Sequence, residues 1–280
     1  MMFLNDITIV ITTFYSEKKV VECLKSVNDK CKVIIIENSG NKKLKEKLES
    51  HHKNLQCILL EKNMGYSKSN NLGLKMVKTK YALVLNPDTT LEEDALEKLF
   101  EASNSLKDFA ILGPYIQTEK EKKDLKSTLK PISVKSTKGF AMFLNMKKFY
   151  EIGFFDERFF LYFEDIDLCR RVIESNGKIF LLPNVKIDHK GAKSVDFFNE
   201  RELEFNRNWH WMWSSFYYHR KYDGFVKSFI IFLPKLITTI LKFLIFTIFR
   251  NEKKSKIYLF RFLGLFNSIM GKKSWYRPKV

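Results

Sequence analysis

The sequence predicts an α/β fold: a mixed, mainly parallel sheet flanked by helices, followed by a C-terminal amphipathic helical region that associates with a membrane. Three observations carry this prediction. In the first half, short and nearly continuous apolar runs alternate with polar, helix-patterned segments, as expected of strands buried on both faces. Polar residues suited to chemistry stand directly after those runs, at the strand ends where parallel sheets bind ligands. The composition then changes near residue 196. Residues 201–280 hold 16 basic and 4 acidic side chains, and so supply +12 of the chain's formal +17.

Taken in order, Ile7–Thr12, Val33–Glu37, Cys57–Leu60 and Tyr81–Leu85 read as strands. Helices are expected at Glu17–Val27, Lys42–His51, Ser67–Val77 and Glu92–Ser103, where apolar residues recur at helical spacing. Glu119–Lys130 is lysine-rich and reads as a surface loop, Ser136–Asn145 as a strand, Asp165–Ser175 as a helix and Lys178–Leu182 as the closing strand. These elements make one domain, residues 1–195, with a second, aromatic and basic helical region at 196–280. The start, Met1-Met2-Phe3-Leu4 leading to Asp6, carries no secretory pattern. Cys23, Cys31, Cys57 and Cys169 have no paired spacing and read as reduced core thiols rather than zinc ligands or disulfides.

In the second region, Trp209, Trp211, Trp213, Phe216, Tyr217 and Tyr218 precede the apolar stretch Phe225–Phe249. That stretch is long enough to span a bilayer but contains Pro234, Lys235 and Lys242, and with Lys227 the lysines share one helical face. A mid-span lysine is costly, whereas a helix lying in the interface places it naturally. The favoured reading is in-plane or shallow insertion at an anionic membrane surface, helped by the basic cluster Arg250, Lys253, Lys254, Lys256 and Arg261. An amphipathic helix packed on the rest of the chain or in a dimer is the competing one. The same charge could serve nucleic acid. It is interleaved with membrane-length apolar sequence, however, and no nucleic-acid module is recognisable, so a nucleic-acid partner is not expected.

Several segments could carry chemistry. Asn86-Pro87-Asp88 ends a strand, and a carboxylate held there can take Mg²⁺ or Mn²⁺ with a diphosphate in its shell, although the tripeptide is also a good turn. Glu37 ends another strand and could accept a hydrogen bond from a pyrimidine N–H, in a sequence equally suited to a plain turn. The segment Asn63–Gly73 offers glycine, hydroxyl and amide groups at a helix start, suited to a phosphate or sugar. His189 is followed by Lys190 and Lys193, which would suit a diphosphate leaving group. The most informative segment is Gly153–Arg171. There an aromatic run, Phe159 to Phe163, long enough for a buried strand or extended wall, meets three acids, Glu164, Asp165 and Asp167. Such carboxylates suit a general base, and they equally suit the first turn of a helix.

The order of these segments resembles glycosyltransferase family 2: Thr-Thr after the first strand, a strand-end Glu, N-x-G and N-N-x-G, N-P-D, K-G-F-A-M, then F-D-E-R-F-F-x-Y-F-E-D-I-D-L-C-R-R and a late His. The rhamnosyltransferase-type members are most similar, and the resemblance covers about residues 5–195. It implies a GT-A-type fold and an inverting, metal-dependent transfer of a sugar, rhamnose among the candidates, from a nucleoside-diphosphate donor to a glycan or lipid-linked glycan. The reaction would take place at the cytoplasmic side of the cell membrane, in bacterial surface-polysaccharide synthesis. It further implies Thr13 and Glu37 in the nucleotide pocket, and Asn63 and Asn71 along the nucleotide-sugar site. Gly139 would lie under the donor sugar, with Asp88 and His189 at the metal and diphosphate. Asp165 would be the catalytic base, Glu164 and Asp167 its supporting acids, Asp156 an acceptor-side group and Lys193 a diphosphate contact. Two departures stand out: Asn86 replaces a frequent first metal-site Asp, and Phe14-Tyr15 replaces the commoner Tyr-Asn. The alternative class is a non-catalytic nucleotide-sugar or glycan-binding protein, which would need no base at Asp165.

Overall fold

A computed structural model describes residues 2–114, 130–189, 196 and 200–278. The chain divides into two units. One comprises Met1–Met64, Lys68–Phe155 and Asp165–Asp196, the other Gly65–Ser67, Asp156–Glu164 and Phe197–Val280.

The first unit is a sheet with its helices. Strands β1 (Ile7–Thr13), β2 (Lys32–Glu37), β3 (Leu55–Leu59) and β4 (Tyr81–Leu85) pair in parallel, linked by α1 (Glu17–Lys25), α2 (Lys42–His51) and α3 (Tyr66–Met76). Every residue of β4 and all but Lys32 of β2 are buried, which explains why these strands read as unbroken apolar runs. The register sets Thr13 beside Glu37, so the two polar strand ends lie side by side.

The chain continues through β5 (Thr89–Leu91), α4 (Ala95–Ser105), β6 (Phe109–Pro114), β7 (Ile132–Val134), β8 (Ala141–Asn145) and α5 (Met146–Ile152). Then come α6 (Glu164–Glu174), β9 (Lys178–Leu182) and β10 (Ile187–His189). The eight-stranded order is β3-β2-β1-β4-β8-β6-β9-β7, while β10 and β5 form a separate antiparallel pair. β8 runs antiparallel to both β4 and β6, making the sheet mixed as expected. Tyr81, Phe109 and Phe143 fill its centre, with Tyr81 and Phe143 rings 5.0 Å apart. All four cysteines are buried free thiols, and burial pushes Cys23, Cys57 and Cys169 up to about 12.

Some expectations shift. The strand expected from Ser136 begins only at Ala141, because the preceding residues form the turn that reaches Asp165. The aromatic run forms no strand: Phe159 and Phe160 are buried, and Tyr162 and Phe163 take left-handed backbone angles (φ 70° and 69°). The lysine-rich segment lies, apart from Lys130, outside the described residues.

The second unit is dominated by α7 (Glu200–Asp223), α8 (Phe225–Ile248) and α9 (Glu252–Ile269). α7 and α9 approach so closely at Gly264 that a Cβ there would lie 2.2 Å from the Trp209 carbonyl oxygen. His210 is buried beside this crossing. Its Nε2 lies 3.0 Å from the Tyr276 carbonyl and its Nδ1 3.0 Å from Ser274 Oγ, and burial lowers its pKa to about 3. A neutral ring between a carbonyl and a hydroxyl donates from Nε2 and accepts at Nδ1.

α8 is inside out. Ser228, Phe232 and Thr239 are its buried residues, whereas Val226, Ile230, Ile237, Leu241, Leu244 and Ile248 are exposed. Lys235 and Lys242 are themselves exposed, with their ammonium groups over the rings of Phe232 and Tyr258 at 4.3 and 5.2 Å. Among the described residues this is the one helix long and apolar enough to cross a membrane.

Candidate active site

In the sheet unit, the parallel strands deliver their polar ends together. Thr13 closes β1; its carbonyl accepts the Asn38 N–H at 2.9 Å, and its buried hydroxyl has no hydrogen-bond partner among the described residues. Glu37 closes β2, fully buried. Its carboxylate accepts the Ser39 N–H at 2.9 Å, the Ser39 hydroxyl, and the Asn41 N–H at 2.8 Å. The turn into α2 is therefore built around this carboxylate, and Asn41 goes on to cap the helix through the Leu44 N–H.

Asn38 was not singled out in the sequence, yet it ties three elements together. Its Nδ2 donates to the Thr13 carbonyl, and its Oδ1 accepts from the Met64 N–H at 3.0 Å and the Ser69 hydroxyl at 2.8 Å. Nothing in Asn-Ser-Gly distinguishes this hub from an ordinary turn. Asn63 lies half-buried in the loop just before Met64. Asn71 is engaged differently from the sugar contact that the resemblance implies. Its Nδ2 donates to the Phe155 carbonyl at 2.9 Å and its Oδ1 accepts the Phe155 N–H at 3.0 Å, so both ends of the amide clamp one backbone residue.

Asp88 lies in the turn after β4, buried at 4 % exposure. The turn is locked by the Asn86 carbonyl, which accepts the Thr89 hydroxyl at 2.6 Å. Thr89 pairs with His189 in the β5–β10 ladder, and this pairing brings the distant histidine to the aspartate: His189 Nε2 is 3.5 Å from Asp88 Oδ1. His189 also stacks on Phe140, with centroids 4.5 Å apart and planes 10° apart. Asn86 Oδ1 is buried with no hydrogen-bond partner among the described residues. Carboxylate, imidazole and an orphaned amide oxygen are a donor set that fits a hard divalent cation whose remaining positions a diphosphate would fill. Among the described residues no group of three or more His, Cys, Asp or Glu gathers as a ready metal cage.

Asp165 occupies the first turn of α6. Its Oδ2 accepts the Gly139 N–H at 3.0 Å and its Oδ1 the Ile166 N–H at 2.9 Å. Burial raises its pKa, and the hydrogen bonds from Gly139 and Ile166 and the charge of Lys138 only partly offset this. A carboxylate held at raised basicity is suited to accept a proton. Gly139 leaves little room for a side chain, because an added Cβ would stand 3.1 Å from Asp165 Cβ and 3.2 Å from its Oδ2. Adjacent residues thus hold the two halves of the site. Gly139 holds Asp165, while Phe140 stacks on His189 and accepts the Asn86 N–H at 2.8 Å on its carbonyl.

The remaining acids of the motif divide by role. Asp167, fully buried, pairs with Arg171 at 3.0 Å. That arginine donates to the carbonyls of Ile152, Gly153 and Phe154, fastening α6 to the preceding turn. Asp156 and Glu164 belong to the other unit. Asp156 accepts from Tyr217 Oη at 2.9 Å and Lys221 Nζ at 2.9 Å. Burial would raise its pKa, but Lys221, the Arg158 N–H and Tyr217 together hold it below the usual carboxylate value. Glu164 is buried at the start of α6, and Lys193 lies outside the described residues. The left-handed pair Tyr162-Phe163 just before these acids costs on the order of 1–3 kcal/mol per residue and persists only where its surroundings over-determine it.

Residues 8–170 match the family profile described as Glycosyl transferase family 2. The chain is 24 % identical over 202 residues to the low-salt glycan biosynthesis hexosyltransferase Agl10 of Haloferax volcanii, covering 63 % of this chain and 64 % of that protein. It is 24 % identical over 213 residues to the dTDP-rhamnosyl transferase RfbF of Shigella flexneri, covering 68 % and 71 %. Among solved structures, the mannosyltransferase PcManGT of Pyrobaculum calidifontis, in complex with GDP-Man and Mn²⁺, superposes with a TM-score of 0.59 at 11 % identity, covering 96 % and 88 %. That likeness assigns the GT-A fold.

Proposed function

Because the chain belongs to glycosyl transferase family 2, we propose that it is an inverting glycosyltransferase acting in surface-polysaccharide synthesis. It would move a sugar, rhamnose among the candidates, from a nucleoside diphosphate to a glycan acceptor. The observation that supports this best is the Gly139-Phe140 pair. These two residues, whose Cα atoms are about 3.8 Å apart, contact a half-buried, basicity-raised carboxylate on one side and His189, the neighbour of Asp88, on the other.

In this reading Asp165 accepts the proton of an acceptor hydroxyl as that oxygen bonds to the anomeric carbon. The bond from that carbon to the diphosphate breaks on the opposite face, which inverts the configuration, and the proton stays on Asp165. Asp88 and His189 would hold Mg²⁺ or Mn²⁺. When bound, such an ion supplies charge stabilisation to the departing diphosphate. Thr13 and Asn63 lie at the strand-end side where the nucleotide would sit. Glu37 shapes that pocket through its turn, with acceptor capacity left for a base N–H.

The inside-out α8 supports work at a membrane surface, on the cytoplasmic side, with a lipid-linked glycan as acceptor. A helix that leaves most of its aliphatic residues exposed, and whose exposed lysines lie along the face of its buried Ser228 and Thr239, suits shallow, in-plane insertion. The test of the whole reading is turnover. The full chain is incubated with Mn²⁺, a panel of UDP-, GDP- and dTDP-sugars and membrane extract as acceptor, and nucleoside diphosphate release is measured. One donor should be consumed. Binding of a donor with no turnover on any acceptor would favour the non-catalytic alternative.

A further inference from the structure

α7 carries three tryptophans in its middle, and they are used in two ways. Trp209 and Trp213, one helical turn apart, are buried at 0 % and 4 % exposure, while Trp211, on the opposite side of the helix, is 48 % exposed. Tyr162 meets the Trp211 ring at 5.4 Å and 72°, and Phe163 meets it at 5.3 Å and 57°. Neither ring lies parallel over the indole. Tyr218, about two helical turns further along α7, supports Phe163 at 5.6 Å.

The backbone delivers these rings at a price in strain. Tyr162 and Phe163 both have positive φ, a conformation natural to glycine, asparagine or aspartate and disfavoured for aromatics. The Ser214 hydroxyl of α7 donates to the Leu161 carbonyl at 2.8 Å, pinning the chain just before the strained pair. Burial of apolar surface alone would not call for this geometry, because the indole stays half open. Strain held by specific contacts beside reactive groups is a recurring mark of ligand clamps.

We propose that Trp211, Tyr162 and Phe163 form a stacking platform for a pyranose ring of the acceptor glycan. The assignment rests on the transferase reading, and it adds a named acceptor subsite to it. Pyranoses present apolar C–H faces between polar edges, and flat rings with nearby phenol hydroxyls complement both. Chain continuity points to the acceptor, since Phe163 precedes Asp165 by two residues. The character of the surface separates sugar from lipid: the platform is built of rings, whereas the outward face of α8 is mostly Ile, Leu and Val.

The experiment is ligand-observed saturation-transfer NMR on the full chain, titrating the methyl pyranosides of rhamnose, glucose, galactose and N-acetylglucosamine. At least one should bind saturably. Trp211→Leu should weaken it about tenfold, and Trp211→Phe should recover part of the loss. An unchanged melting temperature in both variants shows that the fold is kept. Nucleoside diphosphate binding with Mn²⁺, followed separately, reports on the donor reading, so loss of that reading is distinguishable from loss of the platform. Native affinity in Trp211→Leu, or no saturable pyranoside binding to the native chain, overturns the proposal. So does a Trp211→Leu variant that loses flotation with phosphatidylglycerol vesicles yet keeps pyranoside binding.

Discussion

Gly139→Ala is the substitution whose effect can be worked out most fully. The new Cβ would stand 3.1 Å from Asp165 Cβ and 3.2 Å from its Oδ2, against an ordinary carbon contact of roughly 3.5–4.0 Å. Asp165 or the turn at 139 must yield by a few tenths of an ångström, which stretches the 3.0 Å hydrogen bond from Gly139 N–H to Oδ2. A misplacement of about 1 Å at a reacting group can cost about a hundredfold in rate, so a fall in kcat of roughly ten- to a hundredfold is expected. The same N–H helps to hold the Asp165 pKa down against burial. Loosening it raises that pKa further. A base must be deprotonated to act, so the acid limb of the pH–rate profile moves to higher pH. The assay is nucleoside diphosphate release across pH, with donor affinity measured by titration. A fall in kcat larger than any loss of donor affinity places the effect on the base, whereas a matching loss of affinity places it on the donor sugar that Gly139 is expected to underlie. A folded Gly139→Ala with native kcat and an unmoved acid limb would refute the reasoning.

Other consequences follow from the same geometry. Asn71→Ala removes both hydrogen bonds to Phe155 and strands its backbone groups, so thermal melting should show a loss of about 2–3 kcal/mol; Asn71→Ala with native stability would contradict the clamp. Asp88→Asn and His189→Ala should each weaken Mn²⁺-dependent nucleoside diphosphate binding, measured by calorimetry, by about ten- to a hundredfold, and equal binding with and without Mn²⁺ in the native chain would count against the metal assignment. Ile230→Lys with Ile237→Lys, on the outward face of α8, should abolish flotation with anionic vesicles and leave the melting temperature unchanged, since both side chains are exposed. A drop in melting temperature with flotation intact would instead place that face in a protein contact.

Much of the sheet was legible because its strands are buried on both faces. Tyr81–Leu85 and Lys42–His51 have the bounds the pattern predicts, and β1 and β2 differ by a residue. Phe109–Pro114 escaped notice as a strand because it ends in Gly-Pro, which locally signals a turn. β5 and β10 are three residues each and exist only through pairing with one another, which no local pattern reports. That pairing also brings His189 to Asp88, a juxtaposition that the resemblance implied and that no local pattern in the sequence reports. Gly139 and Asp165 came as separate implications of the resemblance, and their direct contact is visible only once β8 is placed. The aromatic run misled for an instructive reason: strand-like composition was overridden by tertiary contacts to α7 that hold two residues in a left-handed conformation. Asn71 shows the limit for polar residues, since an amide suited to a sugar is equally suited to a backbone clamp until its partner is seen.

The central claim is that Asp165 is the proton acceptor of a glycosyl transfer, and Asp165→Asn tests it most directly. The substitution keeps a similar shape and an oxygen for the Gly139 N–H but removes the basicity. Because burial raises the pKa of this carboxyl, its ionised form is held at a cost to the fold, one that is absent below the unfolded-state pKa, develops as pH rises from there to the raised folded-state pKa, and is complete above it. Asp165→Asn should therefore lower turnover by about 10²–10⁴-fold, bind the nucleotide-sugar donor as the native chain does, and melt no lower than it at neutral pH. Near-native turnover in a folded, donor-binding Asp165→Asn protein would contradict the account.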